Sequence, residues 1–356
     1  MSVIAGIFWN RDEGRLRALW RLIAQVILFL ILLIPAQVIV GAIVLVPAVN
    51  SGALTPADLT NAAAVQDYLL GRPLSGMLTT AAMSVAFVGS VWIAGRLLDR
   101  RRFREFGFRV DAAWWADFAF GLALGAGLML LIFLTELAAG WITITGTFVA
   151  GGVGGAFFPT ILFPLFMFLL VGIHEELFSR GYQLTNLAEG MFGIGLAPKA
   201  AVIVGTVLAS AVFGLLHAAN PNASAISTFN IFLAGFLLAA GYLLTGELAI
   251  PIGLHMSWNF FQGNVFGWPV SGGGYHKWAT FIATRQGGPD LWTGGAFGPE
   301  AGLLGVLAMA LGIVLIVLWV RTRRSGIRLQ EGIARPPERV LERIAEDEEQ
   351  PDHSLS

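Results

Sequence analysis

Val171-Gly172-Ile173-His174-Glu175-Glu176-Leu177-Phe178-Ser179-Arg180 sets two adjacent carboxylates and an arginine inside an apolar run that begins near Phe157. A charged group at membrane depth costs from about 2.5 to about 10 kcal/mol or more unless it is paired or hydrated, so charges retained there usually mark function. What this stretch means depends on whether the run is a membrane helix, and composition answers that. Hydrophobic residues make up 56% of the 356 and charged residues only 13%, with a mean hydropathy of +0.73. These values lie outside the soluble globular range and predict an all-α, polytopic membrane protein.

Working outward, runs of ~20 mostly apolar residues occur at roughly 20–47, 76–98, 115–139, 157–182, 200–218, 225–246, 250–267 and 300–321. About eight transmembrane helices are expected, in a conical or bundled arrangement around a cavity. The chain divides into an interfacial or cytoplasmic N-terminal segment at 1–19, a membrane domain at 20–324 whose core at 157–267 carries the polar exceptions, and a partly disordered cytoplasmic tail at 325–356. The first apolar run, from about Leu19 to Val49, is much longer than the ~7–15-residue core of a signal peptide and reads as a retained helix.

Alternating helices place all but three of the 22 basic residues on one side; Arg72, Lys277 and Arg285 are the exceptions. By the positive-inside rule both termini are cytoplasmic, and a bacterial inner membrane is the expected location. The formal net charge of -1 hides this uneven distribution, and with the basic residues mapped to helix flanks no nucleic-acid partner is expected. The cysteine count of zero removes disulfides, thiolate metal ligands, a cysteine nucleophile and lipidation on cysteine.

Several stretches between the motifs carry structural expectations. Residues 10–21 mix arginines with large apolar groups, as either a headgroup-lying segment or the basic flank of the first helix would. Thr55-Pro56-Ala57-Asp58 predicts a capped short helix running to about Leu70. Gly121-Leu122-Ala123-Leu124-Gly125 permits close approach of another helix, while Glu136 reads as a packing group. Gly151-Gly152-Val153-Gly154-Gly155 lacks the Lys and Ser/Thr of a phosphate cradle. The connection 268–299 carries Trp268, Trp278 and Trp292 and reads either as a headgroup anchor or as a lid over a cavity. Pro336-Pro337 and the acidic Glu346-Asp347-Glu348-Glu349 predict a short helix and a solvated end.

Three spacings bear chemistry. Glu176 and Arg180, four apart with the acid first, suit an ion pair on one helix face, leaving Glu175 about 100° away without this partner. Phe213-x-x-x-His217 puts an imidazole one turn beyond an aromatic ring, just before the helix-breaking Asn220-Pro221. His255-x-x-x-Asn259 puts an imidazole and a carboxamide on one face. Each spacing alone could cross-link helices; together they use two of only five histidines. His174, next to Glu175, is open to either reading.

Glu175-Glu176-x-x-x-Arg180, Phe213-x-x-x-His217 and His255-x-x-x-Asn259, in this order on successive helices, resemble the three signature motifs of the CPBP family. That family takes in type II CAAX prenyl endopeptidases, bacteriocin-processing and self-immunity proteins, and abortive-infection proteins. The resemblance covers about 85 residues, from Glu175 to Asn259. It implies intramembrane hydrolysis of a peptide bond in a peptide or protein substrate, lipidated or not, at the surface of the bilayer that holds the enzyme. Glu175 would be the general base, His217 would help hold the water, and His255 with Asn259 would stabilise the oxyanion. Glu176 and Arg180 would support the geometry.

No cofactor is firmly implied. If zinc were bound, Glu175, His217 and His255 would supply the ligand set, but the zincin pattern is broken because Phe178 stands where its second histidine would be. The metal-free reading is preferred. Two other classes fit the same residues, a non-catalytic immunity or binding protein on this scaffold and a proton-coupled transporter. One difficulty concerns depth: Glu175 sits toward the end of its helix, whereas His217 lies near the far end of a helix running the other way.

Overall fold

The computed structural model describes residues 3–151, 156–324 and 326–349. Most of Gly151–Gly155, together with the extreme C-terminus, therefore lies outside the described residues. Eight principal helices follow one another: α1 Ala18–Asn50, α2 Pro73–Ala94, α3 Ala112–Ala138, α4 Phe157–Glu176, α5 Pro198–Leu216, α6 Ala225–Thr245, α7 Ala249–Phe260 and α8 Leu303–Arg323. All except α7 belong to the seven helical segments long and apolar enough to cross a membrane. The expected span at 250–267 is α7 continued by π-helical turns at Phe261–Val265.

That helix is short because protein surrounds it. Ala249, Ile250 and Leu254 are almost completely buried, with α3, α4 and α6 packed around them. Gly121 and Gly125 of α3 make the closest approach. A Cβ at Gly121 would stand 2.9 Å from the Leu254 nitrogen, and one at Gly125 would stand 2.5 Å from the Leu254 carbonyl oxygen. The four-residue glycine spacing is thus the α3–α7 contact. Gly125→Leu is expected to destabilise the protein by about 1–3 kcal/mol through overpacking, read as a lower melting temperature in detergent; an unchanged melt would contradict the contact.

The sequence places the end of the fourth helix near 182, but α4 runs on through π-helical turns at Leu177–Leu184 into a helix at Thr185–Gly193. This extension carries Glu189 to one end of the bundle, where Arg15, Arg21 and Arg101 converge on its carboxylate. Arg21 also pairs with Asp99 at 2.9 Å. Arg15 and Arg21 are each 2% exposed, so both are internal struts, and neither sequence reading of residues 10–21 describes them. Arg101 further donates to the Arg335 carbonyl oxygen at 2.7 Å, which ties the tail to the same end. The tail continues as a helix at Glu338–Glu349.

At the opposite end, β1 (Ile142–Ala150) pairs antiparallel with β2 (Ala279–Gln286). Gln286 Nε2 donates to Glu136 Oε2 at 2.8 Å, in keeping with Glu136 as a packing group. Thr55 and Asp58 bond each other, but they frame a single 3-10 turn; the helix Ala62–Leu70 is capped by Asn61. Trp268 and Trp278 are each 2% exposed. Both are core residues of the protein rather than headgroup anchors, and only Trp292 keeps substantial exposure.

Candidate active site

The length of α4 resolves the depth difficulty. At ~1.5 Å per residue, Glu176 lies roughly 25–30 Å from either end of the 37-residue segment Phe157–Gly193. His217 comes immediately after the 19-residue α5, roughly 28 Å beyond Pro198. Two antiparallel helices that start at the same end therefore bring these residues to one level. There α5 gives way to a 3-10 turn at His217–Ala219, and Pro221 biases Asn220 away from helix.

Glu176 is completely buried and accepts from two partners through one oxygen, Arg180 Nη1 at 3.0 Å and His255 Nδ1 at 2.7 Å. Because an ionised carboxylate only accepts, Nδ1 of His255 is the protonated nitrogen and Nε2 is left to face Glu175, 3.9 Å from its Oε2. The expected Glu176–Arg180 pair is therefore present, and it does more than pin its own helix. Arg180 Cζ lies 4.2 Å from the centre of the Phe213 ring, a cation–π contact. That ring is in turn 4.7 Å from His217 and 6.3 Å from His255. Phe213 is the platform against which the arginine and both imidazoles are ordered.

His217 Nδ1 is 2.8 Å from the Phe213 carbonyl oxygen. A carbonyl can only accept, so Nδ1 carries hydrogen and the Nε2 lone pair is available. His174 is 2% exposed, bonded through Nδ1 to Ser84 Oγ at 2.8 Å and stacked on Phe87 of α2.

The Glu175 side chain is 28% exposed, against 0% for Glu176. Its Oε2 is nonetheless buried and has no hydrogen-bond partner. The ionisable groups around its carboxylate are His255, His217, His174 and Arg180. A cavity is lined by Phe213, His217, His255 and Asn259. Glu175 is not among its lining residues, but its Oε2 lies 3.9 Å from Nε2 of His255, which lines it. Two further lining residues, Ser271 and Glu300, come from the connection between α7 and α8. Sequence reading missed both; the available signal was a single carboxylate at the threshold of the last apolar run.

Among the described residues, no group of three or more His, Asp or Glu side chains is placed to hold a metal ion. The separation of 3.9 Å between His255 Nε2 and Glu175 Oε2 also exceeds the roughly 3.3 Å spanned by two donors at tetrahedral zinc distances.

Residues 156–261 match the sequence model of a family described as Rce1-like, type II CAAX prenyl endopeptidase Rce1-like. Comparison with curated proteins and with solved structures finds no match. The matched segment is similar to that family and holds all three motifs and every residue of the Glu175–Glu176–Arg180–Phe213–His217–His255–Asn259 constellation.

Proposed function

We propose that the protein is an intramembrane endopeptidase in which Glu175 activates water without a metal ion. The carrying observation is the contrast between two neighbouring carboxylates: Glu176, 0% exposed, is held through Oε1 by Arg180 and His255, whereas the Glu175 side chain is 28% exposed and presents its Oε2 3.9 Å from His255 Nε2. Glu175 takes a proton from water as the oxygen attacks the scissile carbonyl carbon, with His217 Nε2 accepting the second water hydrogen. The carbonyl oxygen gains negative charge, which the Asn259 amide and a protonated His255 Nε2 neutralise. Glu175 then delivers its proton to the departing amine nitrogen as the C–N bond breaks.

Glu176 is essential to this assignment because a negative partner on Nδ1 lets His255 bear the second proton. The substrates are peptide or protein segments presented at the bilayer, with lipidated tails inside the class. Both termini face the cytoplasm of a bacterial cell by the distribution of Arg and Lys. The reading is tested by purifying the protein in detergent, counting zinc, and following cleavage of a panel of membrane-anchored peptides in liposomes before and after chelation. Turnover that is unaffected by chelator at sub-stoichiometric zinc is expected. Stoichiometric zinc whose removal stops cleavage would overturn the metal-free mechanism, and the absence of any cleavage would overturn the enzymatic reading.

A further inference from the structure

Glu300 sits in a short 3-10 turn, Pro299–Ala301, just before α8, and is 3% exposed. A buried carboxylate is costly unless its lone pairs are satisfied, and here they are. Oε1 accepts from the Ser271 backbone N–H at 3.1 Å and from the Ser271 hydroxyl at 3.2 Å, while Oε2 accepts from Gln262 Nε2. Gln262 lies three residues beyond Asn259, and its amide also donates to the Pro269 carbonyl oxygen at 2.6 Å. On the other side, the Ser271 carbonyl oxygen accepts from Asn220 Nδ2 at 3.0 Å, and Asn220 lies three residues beyond His217.

These contacts join the far end of the His217 helix to the far end of the His255–Asn259 helix through one acidic side chain. Ser271 has φ of +47°, a left-handed conformation that a non-glycine residue keeps only where its surroundings over-determine it. Two hydrogen bonds to Glu300 supply that determination. Ser271 and Glu300 also line the same cavity as His217, His255 and Asn259.

Resting on the endopeptidase reading, we infer that Glu300 is a positioning residue of the site: by clamping Ser271 and Gln262 it holds His217 and Asn259 at their working separation and closes the cavity on that side. The charge state of the clamp is finely balanced, since burial pushes the Glu300 carboxyl up to about 7 against the pull of the Gln262 and Ser271 hydrogen bonds. His217 and His255 are the other titratable groups lining the cavity. A displacement of the order of 1 Å at residues that do not touch the reacting atoms can cost roughly 10²-fold in rate, which sets the scale of the effect.

The test uses the full chain in detergent or liposomes and exploits the natural absence of cysteine. Ala234→Cys, which lines the cavity, provides one thiol for a water-soluble maleimide. Glu300→Ala in that background is expected to speed labelling roughly tenfold, as local opening would. Without the reporter, it should lower kcat roughly 10²-fold while KM changes far less. Glu300→Gln retains an acceptor oxygen and should recover part of both losses, and Asn220→Ala should reproduce the kcat loss from the other end of the clamp. If Glu300→Ala does not fold, Glu300→Gln and Asn220→Ala carry the test. Unchanged labelling and kcat in folded variants, or a loss of activity that only tracks the folded fraction, would overturn the inference. Should the native protein cleave nothing, the labelling rates still judge the clamp, so its failure and that of the endopeptidase reading are told apart.

Discussion

Glu175→Gln is expected to abolish cleavage, by about 10³-fold or more, while expression, melting temperature and membrane insertion stay as in the native protein. General-base assistance contributes roughly 10² to 10⁴ in rate, and glutamine keeps the shape of the side chain while losing all of that basicity. The further loss comes from the proton that Glu175 must return to the leaving amine. Stability should not fall, because Oε2 has no hydrogen-bond partner to lose and the side chain, 28% exposed, accepts a neutral amide readily. Glu176→Gln, by contrast, removes the charge opposite His255 Nδ1 and should damage activity by a different route. Cleavage of a reconstituted peptide, compared at equal folded protein, is the measurement. Turnover by Glu175→Gln within tenfold of native would reject Glu175 as the base and assign that role to another group of the site.

The membrane architecture and the chemistry-bearing positions were legible in the sequence because both are written as exceptions to an apolar background. A carboxylate or imidazole inside a lipid-spanning run is visible without knowing its neighbours, and helical spacing shows which residues share a face. That is enough to pair Glu176 with Arg180 and to separate Glu175 from them. It does not reveal that Glu176 also holds His255, a contact between residues 79 apart in sequence, because long-range pairing follows from how helices pack. The depth of His217 was obscured for a related reason: hydropathy ends the fourth helix where polar residues begin, yet Gln183, Asn186 and Glu189 continue it as buried groups. The same bias made Arg15 and Arg21 look like surface residues, since their partners Asp99 and Glu189 come from distant elements. Tryptophans in a connecting loop suggest an interface only where the loop faces lipid, and Trp268 and Trp278 do not. Ser271 and Glu300 carry no motif at all; their part in the cavity exists only once the α7–α8 connection has folded back across it.

Arg180→Met should be the most destabilising single change in the constellation. Arg180 is 2% exposed; besides its pair with Glu176 it donates to the Gly235 carbonyl oxygen at 3.4 Å and covers the Phe213 ring. Removing one partner of a buried ion pair leaves the other charge uncompensated, at a cost of about 3–5 kcal/mol, here falling on a Glu176 that is 0% exposed. Methionine fills much of the volume and keeps an apolar contact with Phe213, so the loss is chiefly electrostatic. Neutralising the orphaned acid as well, in Glu176→Gln/Arg180→Met, should restore most of the stability, since glutamine can still accept from His255 Nδ1 and no buried charge remains. Activity should not return with it. His255 would keep its orientation but lose the negative partner that favours its doubly protonated form, and loss of one oxyanion donor typically costs roughly 3–4 kcal/mol in the transition state. Thermal melts in detergent and cleavage rates for the native, both single and the double variants close the cycle. A native-like melt for Arg180→Met would mean that the pair contributes nothing to the fold, whereas a fully active double variant would show that His255 works without Glu176. The expected outcome, recovered stability with activity still lost, separates the two tasks that one buried carboxylate performs: bracing the α4–α7 contact and charging the imidazole that faces Glu175.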